Sequence, residues 1–134
     1  MKTALKNLVC SVEESKKLNE LGVRQQSRFY WTPEDDGNLI RYSRPAALSA
    51  FTASELENML PKTIEYKTRD QIGGEWRHHV FSSGRNLDTD EWYVMYRDPN
   101  YPDKPPLCSI YSGTKVTALV KMIVYLIENE FVNP

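Results

Sequence analysis

Cysteine is scarce in this chain, and its scarcity excludes a disulfide framework. Cys10 and Cys108 are the two cysteines in 134 residues. Neither belongs to a Cys-x-x-Cys pair or to a zinc-binding spacing, so both read as reduced, half-buried thiols of a cytoplasmic protein. Charge of one sign is missing as well. Seventeen Lys and Arg face eighteen Asp and Glu, without the basic excess that neutralises a polyanion, which disfavours constitutive duplex binding. No apolar run reaches the roughly 20 residues that span a bilayer, and no membrane partner is expected. The start, MKTALKNLVC, has too short an apolar stretch for a signal peptide, and Glu13 and Glu14 follow at once.

Reactive motifs are equally thin. The glycines Gly73, Gly74 and Gly84 are scattered without a phosphate-loop pattern, and there is no Gly-x-Ser-x-Gly elbow. The acidic pairs Glu13-Glu14, Asp35-Asp36 and Asp88-Asp90 fall in a helix start and in polar loops, where capping and turn formation are their ordinary work. Both histidines lie side by side in WRHHVF, Trp76 to Phe81. On a strand, successive side chains point to opposite faces, so His78 and His79 diverge and cannot share one metal ion without a bulge. The expectation is no catalytic site, no metal site and no cofactor, with a small hydrolase or metal-dependent enzyme as a third-ranked function.

What the sequence does contain is a fold. At 134 residues with 40% hydrophobic and 26% charged composition, it is the size and character of a single globular domain, 1–134, with one core. Ser11 with Glu14, and Thr52 with Glu55, have capping-box spacing, predicting a helix from Val12 to about Leu21, stopped by Gly22, and a second over TASELENML, stopped by Pro61. RFYWT and LIRYS flank the turn-rich PEDDGN as a hairpin. TIEYKTR alternates as a strand and pairs with WRHHVF through Gly73-Gly74. SSGRNLDTD reads as a polar loop, EWYVMYR as a central strand covered on both faces, DPNYPDKPP as a stiff loop holding four of the eight prolines, and LCSIY as a further strand.

Thr114 opens a C-terminal helix whose apolar residues nearly encircle it. Val116, Leu119, Val120, Ile123, Val124 and Ile127 form one stripe, which should meet Trp76, Trp92 and Val94 in the core. Met122, Tyr125, Leu126 and Phe131 form a second apolar side. That side is either an interface for a protein partner or a second copy of the chain, or it is covered by one of the two shorter helices. The whole predicts α+β: an antiparallel sheet of about five to six strands with the long C-terminal helix packed on it and two shorter helices.

Two functional readings follow from surfaces. The first is a non-catalytic binding protein that docks a partner or itself. The alternative is a single-strand nucleic-acid binder using the hairpin 28–43, where Arg28, Tyr30, Arg41 and Tyr42 mix cations with flat rings. The three acids of PEDDGN stand where a phosphate backbone would pass, which weighs against it.

Three segments taken together, CSVEESKKLNELGV followed by FYW, then AFTASELENMLP, then VKMIVYLIENEF, resemble small proteins encoded by bacteriophages and prophages. There, a Cys-Ser-capped helix, a Met-Leu-Pro-ended helix and a closing apolar helix recur around a variable strand region. The resemblance covers most of the chain but is dense only in the three helices. It implies the fold and a mobile-element setting. No activity and no functional residue carries over, because the matching positions are caps and core.

Overall fold

A computed structural model describes residues 8–32, 38–41, 46–67, 76–101, 103 and 105–134. Helix α1 (Val12–Glu20) begins at the predicted box: the Glu14 N–H donates to Ser11 Oγ (3.1 Å), and the Ser11 N–H donates to Glu14 Oε1 (2.8 Å). It ends in a Schellman turn, with Gly22 N–H on the Asn19 carbonyl and Val23 N–H on the Leu18 carbonyl, both at 3.0 Å. Gly22 supplies the φ of +89° that this turn requires. Helix α2 (Ala53–Met59) has the second box, between Thr52 and Glu55. Helix α3 (Lys115–Glu128) is capped by Thr114, whose Oγ1 accepts from the Thr117 N–H at 3.2 Å.

The strands are β1 (Tyr30–Trp31), β2 (Leu39–Ile40), β3 (Leu48–Ser49), β4 (Thr63–Lys67), β5 (Trp76–Asn86), β6 (Glu91–Arg97) and β7 (Cys108–Ser112). Among the described residues they form two antiparallel sheets, β2-β1-β3 and the meander β4-β5-β6-β7. The expected α+β class and antiparallel pairing hold. The single sheet of five to six strands is replaced by two sheets: β1 and β2 pair with β3, a strand too short to leave a period in the sequence, and among the described residues not with the meander.

β5 also runs further than its sequence suggests. Ser82 to Asn86, read as loop, continues the ladder opposite Glu91 to Met95, and the turn is confined to residues 87–90. Pairing with an already ordered neighbour overrides the weak strand preference of Ser-Ser-Gly. The turns expected at 33–37 and at Gly73-Gly74 lie outside the described residues, as does the Trp76 side chain.

Alternation sorts the four-stranded sheet into two faces. Ile64, His79, Val94 and Tyr96 are buried on one, and α3 lies across β6 and β7 there. The phenol of Tyr96 donates to the Pro61 carbonyl at 2.6 Å, and its ring meets Phe81 edge-on at 5.6 Å. The opposite face carries half-buried Tyr93 and Met95, so β6 is central in order but is not buried on two sides.

The far side of α3 is covered within the chain. α2 packs against it, tied by Lys115 Nζ to Glu57 Oε1 at 2.7 Å, and α1 packs against it as well. Met122 and Leu126 have no accessible surface. Those two members of the expected second apolar side therefore cannot meet a partner from outside, and the covering by the two shorter helices is what the fold adopts. Of the first stripe, Ile127 and Val124 are only half buried, and so is Trp92.

A second Schellman turn ends α3, with Glu130 N–H on the Ile127 carbonyl (3.1 Å) and Phe131 N–H on the Leu126 carbonyl (2.8 Å). It folds Phe131 back so that its ring stacks on Tyr125, with centroids 6.3 Å apart and planes at 22°. The left-handed position here is Glu130, at φ +61°, where a side chain is strained. Glu130→Gly should therefore stabilise the fold by about 0.5–1 kcal/mol, seen as a higher urea midpoint. An unchanged or lower midpoint would count against the strain.

Burial of Leu126 generates a second prediction. Leu126→Glu should unfold the protein, because a carboxylate at a site without solvent is not compensated there. Lys121→Ala, on the exposed side of the same helix, should leave the urea midpoint within roughly 0.5 kcal/mol of wild type. A folded Leu126→Glu protein of reduced mass in light scattering would instead restore the interface reading.

Candidate functional site

The histidine pair diverges as its period requires. His79 is 5% exposed on the helix-covered face, opposite Ile64. His78 faces the other way, half exposed, with Nδ1 3.2 Å from Glu65 Oε1. Burial pushes the His79 pKa down; Asp98 nearby opposes this, while His78 and Arg77 add to it. Asp98 is itself buried, and its Oδ1 accepts from the Asn100 N–H at 2.9 Å, which shapes the start of the proline-rich loop. Arg77 lies 5.2 Å over the Tyr101 ring in the same loop. Arg77 thereby ties the loop to the start of β5. Among the described residues, no group of three or more His, Cys, Asp and Glu is arranged to hold a metal ion.

Cys10 is built as structure. It has no accessible surface, and its Sγ lies 3.0 Å from Ser15 Oγ and accepts from the Phe51 N–H at 3.3 Å. Its carbonyl accepts from the Trp31 indole N–H at 2.9 Å. Burial pushes the thiol pKa up, although the Ser15 and Phe51 hydrogen bonds pull the other way. A nucleophilic cysteine needs the reverse shift. Cys108 is half buried and also shifted upward by burial. Of the acidic pairs, Glu14 serves its cap and Asp90 pairs with Arg85, while Asp35 and Asp36 lie outside the described residues.

The hairpin platform loses its central ring. Tyr30 is 6% exposed, and its phenol oxygen accepts from the Ser27 N–H at 3.1 Å. Arg28 and Arg41 are exposed, and Tyr42 lies outside the described residues. No base can stack on Tyr30 unless the hairpin opens.

The surface that the fold does leave open was not legible in advance. On the four-stranded sheet, the face away from the helices presents Val80, Ser82, Tyr93, Met95, Arg97, Ser109 and Tyr111, with Glu65 and His78 at one margin. Tyr111 is 50% exposed, and its ring stands 6.4 Å from that of Tyr93 at 48°. The signal existed in the odd-numbered positions of EWYVMYR, but reading Ser82 to Asn86 as loop removed the neighbouring strand that makes a face of them. Comparison with protein-family models, with curated proteins and with solved structures finds no match.

The His79 shift has a consequence for stability. A histidine whose folded pKa lies below its unfolded value binds fewer protons when folded, so stability falls as pH drops below about 6.5 and the loss levels off below the folded pKa. The fall in urea midpoint between pH 7.5 and pH 5 should be smaller in His79→Gln than in wild type. Equal falls would show that other groups carry the pH dependence.

Proposed function

We propose that this chain is a non-catalytic binding protein that docks a protein partner on the open face of its four-stranded sheet. The observation that carries the reading is the Tyr93–Tyr111 ring pair beside Met95 and Arg97 on the side away from the helices. Tyrosine, methionine and arginine are the residue types enriched at protein interfaces, and Tyr and Met supply contact area without a buried charge. Arg97 is set against Glu65 and Glu91 on the same face, a balance that suits a protein surface better than a polyanion. The burial of Tyr30 weighs against the single-strand nucleic-acid reading, and burial of the Cys10 thiol, which pushes its pKa up, weighs against Cys10 as a nucleophile. The likeness of the three helical segments to phage and prophage proteins supports an accessory role in a mobile element, in the cytoplasm of its bacterial host. Among the described residues no helix is long and apolar enough to cross a membrane.

The partner is a second copy of the chain or another protein, and two measurements separate them. Self-docking predicts a concentration-dependent dimer in analytical ultracentrifugation that Tyr111→Glu dissociates. A different partner predicts a monomer alone, with a discrete crosslinked species in host cells from a photoreactive residue placed at 111. That species should vanish in Tyr93→Ala, and a photoreactive residue at exposed position 16 on α1 should not produce it. A monomer whose crosslinks from 111 and from 16 are the same would refute the docking face.

A further inference from the structure

The two Schellman turns and the end of α2 meet at one place and leave a pocket of about 230 Å³ between them. Its wall is apolar: Val23 follows the first turn, Met59 and Leu60 close α2, Ile123 and Ile127 come from α3, and Val132 follows the second turn. The first turn lies near Pro134, since a Cβ added to Gly22 would stand 3.4 Å from Pro134 Cγ. Leu60 and Ile123 are nearly inaccessible, whereas Met59 at the mouth is 36% exposed. Two polar residues, Arg24 and Asn133, also line the pocket. Both are exposed to solvent, and among the described residues no carboxylate pairs with the Arg24 guanidinium.

Size and polarity together restrict what fits. An apolar cavity of about 150 Å³ accepts a benzene-sized guest, so this one has room for a group of about six to eight carbons. Arg24, the one charged residue of the lining, selects the head group. Helix C-termini carry partial negative charge, which would favour a cation, but the Leu18 and Asn19 carbonyls of α1, the Glu57 carbonyl of α2 and the Leu126 and Ile127 carbonyls of α3 already accept from N–H groups of the chain. Arg24 brings a full positive charge and a planar fork that matches a carboxylate. We propose that the pocket binds a small amphipathic carboxylate, its apolar group lying among Val23, Leu60, Ile123 and Ile127 and its acid on Arg24. A concave apolar wall with a few convergent polar groups is the ordinary form of a small-molecule site. This site lies among the helices, separate from the sheet face of the proposed protein partner.

Three eight-carbon probes test it on the whole chain: octanoate, octan-1-ol and octylammonium, each titrated while methyl signals are followed by NMR. Octanoate should saturate, moving the methyls of Val23, Met59, Leu60, Ile123, Ile127 and Val132 and leaving Val80 on the open sheet face unmoved. Octan-1-ol should bind roughly tenfold more weakly, the worth of one charge-assisted hydrogen bond at a half-open site, and octylammonium more weakly still. Arg24→Gln should abolish the preference for the acid over the alcohol, and Met59→Trp, at the rim, should block both. Octylammonium binding as tightly as octanoate would overturn the proposal. So would an acid preference that survives Arg24→Gln, shifts that map elsewhere, or titrations that never saturate. The wild-type comparison of the three probes decides the matter even if a variant folds poorly.

Discussion

A helix that is apolar around most of its circumference cannot be stable with one side wet, and much of this fold answers that constraint on α3. Val116, Ala118, Leu119, Val120, Met122, Ile123 and Leu126 are all buried, and each of the larger side chains gives about 1.5–3 kcal/mol when removed from water. The sheet takes up one side. The other is closed by α1 and α2, which at nine and seven residues are too short to persist without such packing. Their capping boxes and the Schellman turns satisfy the backbone groups that short helices leave free, and the turn after α3 returns the chain so that Phe131 stacks on Tyr125.

The same burial acts on Cys10 and His79. Cys10 joins α1, β3 and the start of α2 through its Sγ contacts, and Trp31 closes the joint from β1. A thiol used in that way has its charged form suppressed. His79 sits under the same cover of the sheet and is held towards neutrality for the same reason. Those reactive side chains are spent on packing, while the outward His78 meets Glu65 as one half-exposed pair. The fold leaves open the sheet face that the helices do not cover, and a pocket where three helix ends fail to fill their common space.

The starts of α1 and α2 were legible because a capping box is written within four residues and needs no tertiary information. The end of α1 was legible for a similar reason: glycine is the residue a left-handed turn favours. The equivalent turn after α3 was hidden, since Glu130 gives no such sign. The divergence of His78 and His79 followed from period two alone. Nothing local could reveal that β3 pairs with β1 over two residues, or that Met122 and Leu126 are covered from the far side. Periodicity says that a face is apolar, and only the path of the rest of the chain says what covers it. The reading of Tyr30 as an available ring failed on this point too, because aromatic strand residues look the same in sequence whether they face solvent or core.

Ser82 to Asn86 shows how far a contact can overrule composition, and why that matters for the open face. Serine, glycine and asparagine favour turns, yet here they pair with β6 along its length. The glycine in that run is what gives the face its form. A Cβ at Gly84 would lie 2.6 Å from the Tyr93 hydroxyl oxygen and 2.8 Å from Cζ, so the ring rests over bare backbone, which no larger residue leaves accessible. Laid down in this way across β5, Tyr93 keeps its distance from Tyr111, and the two rings stay tilted with Tyr111 still half exposed. A bulkier residue at 84 would push Tyr93 aside, away from its present placement beside Tyr111. The residue that looked most like a loop marker in the sequence is therefore the one that shapes the surface on which the proposed binding depends.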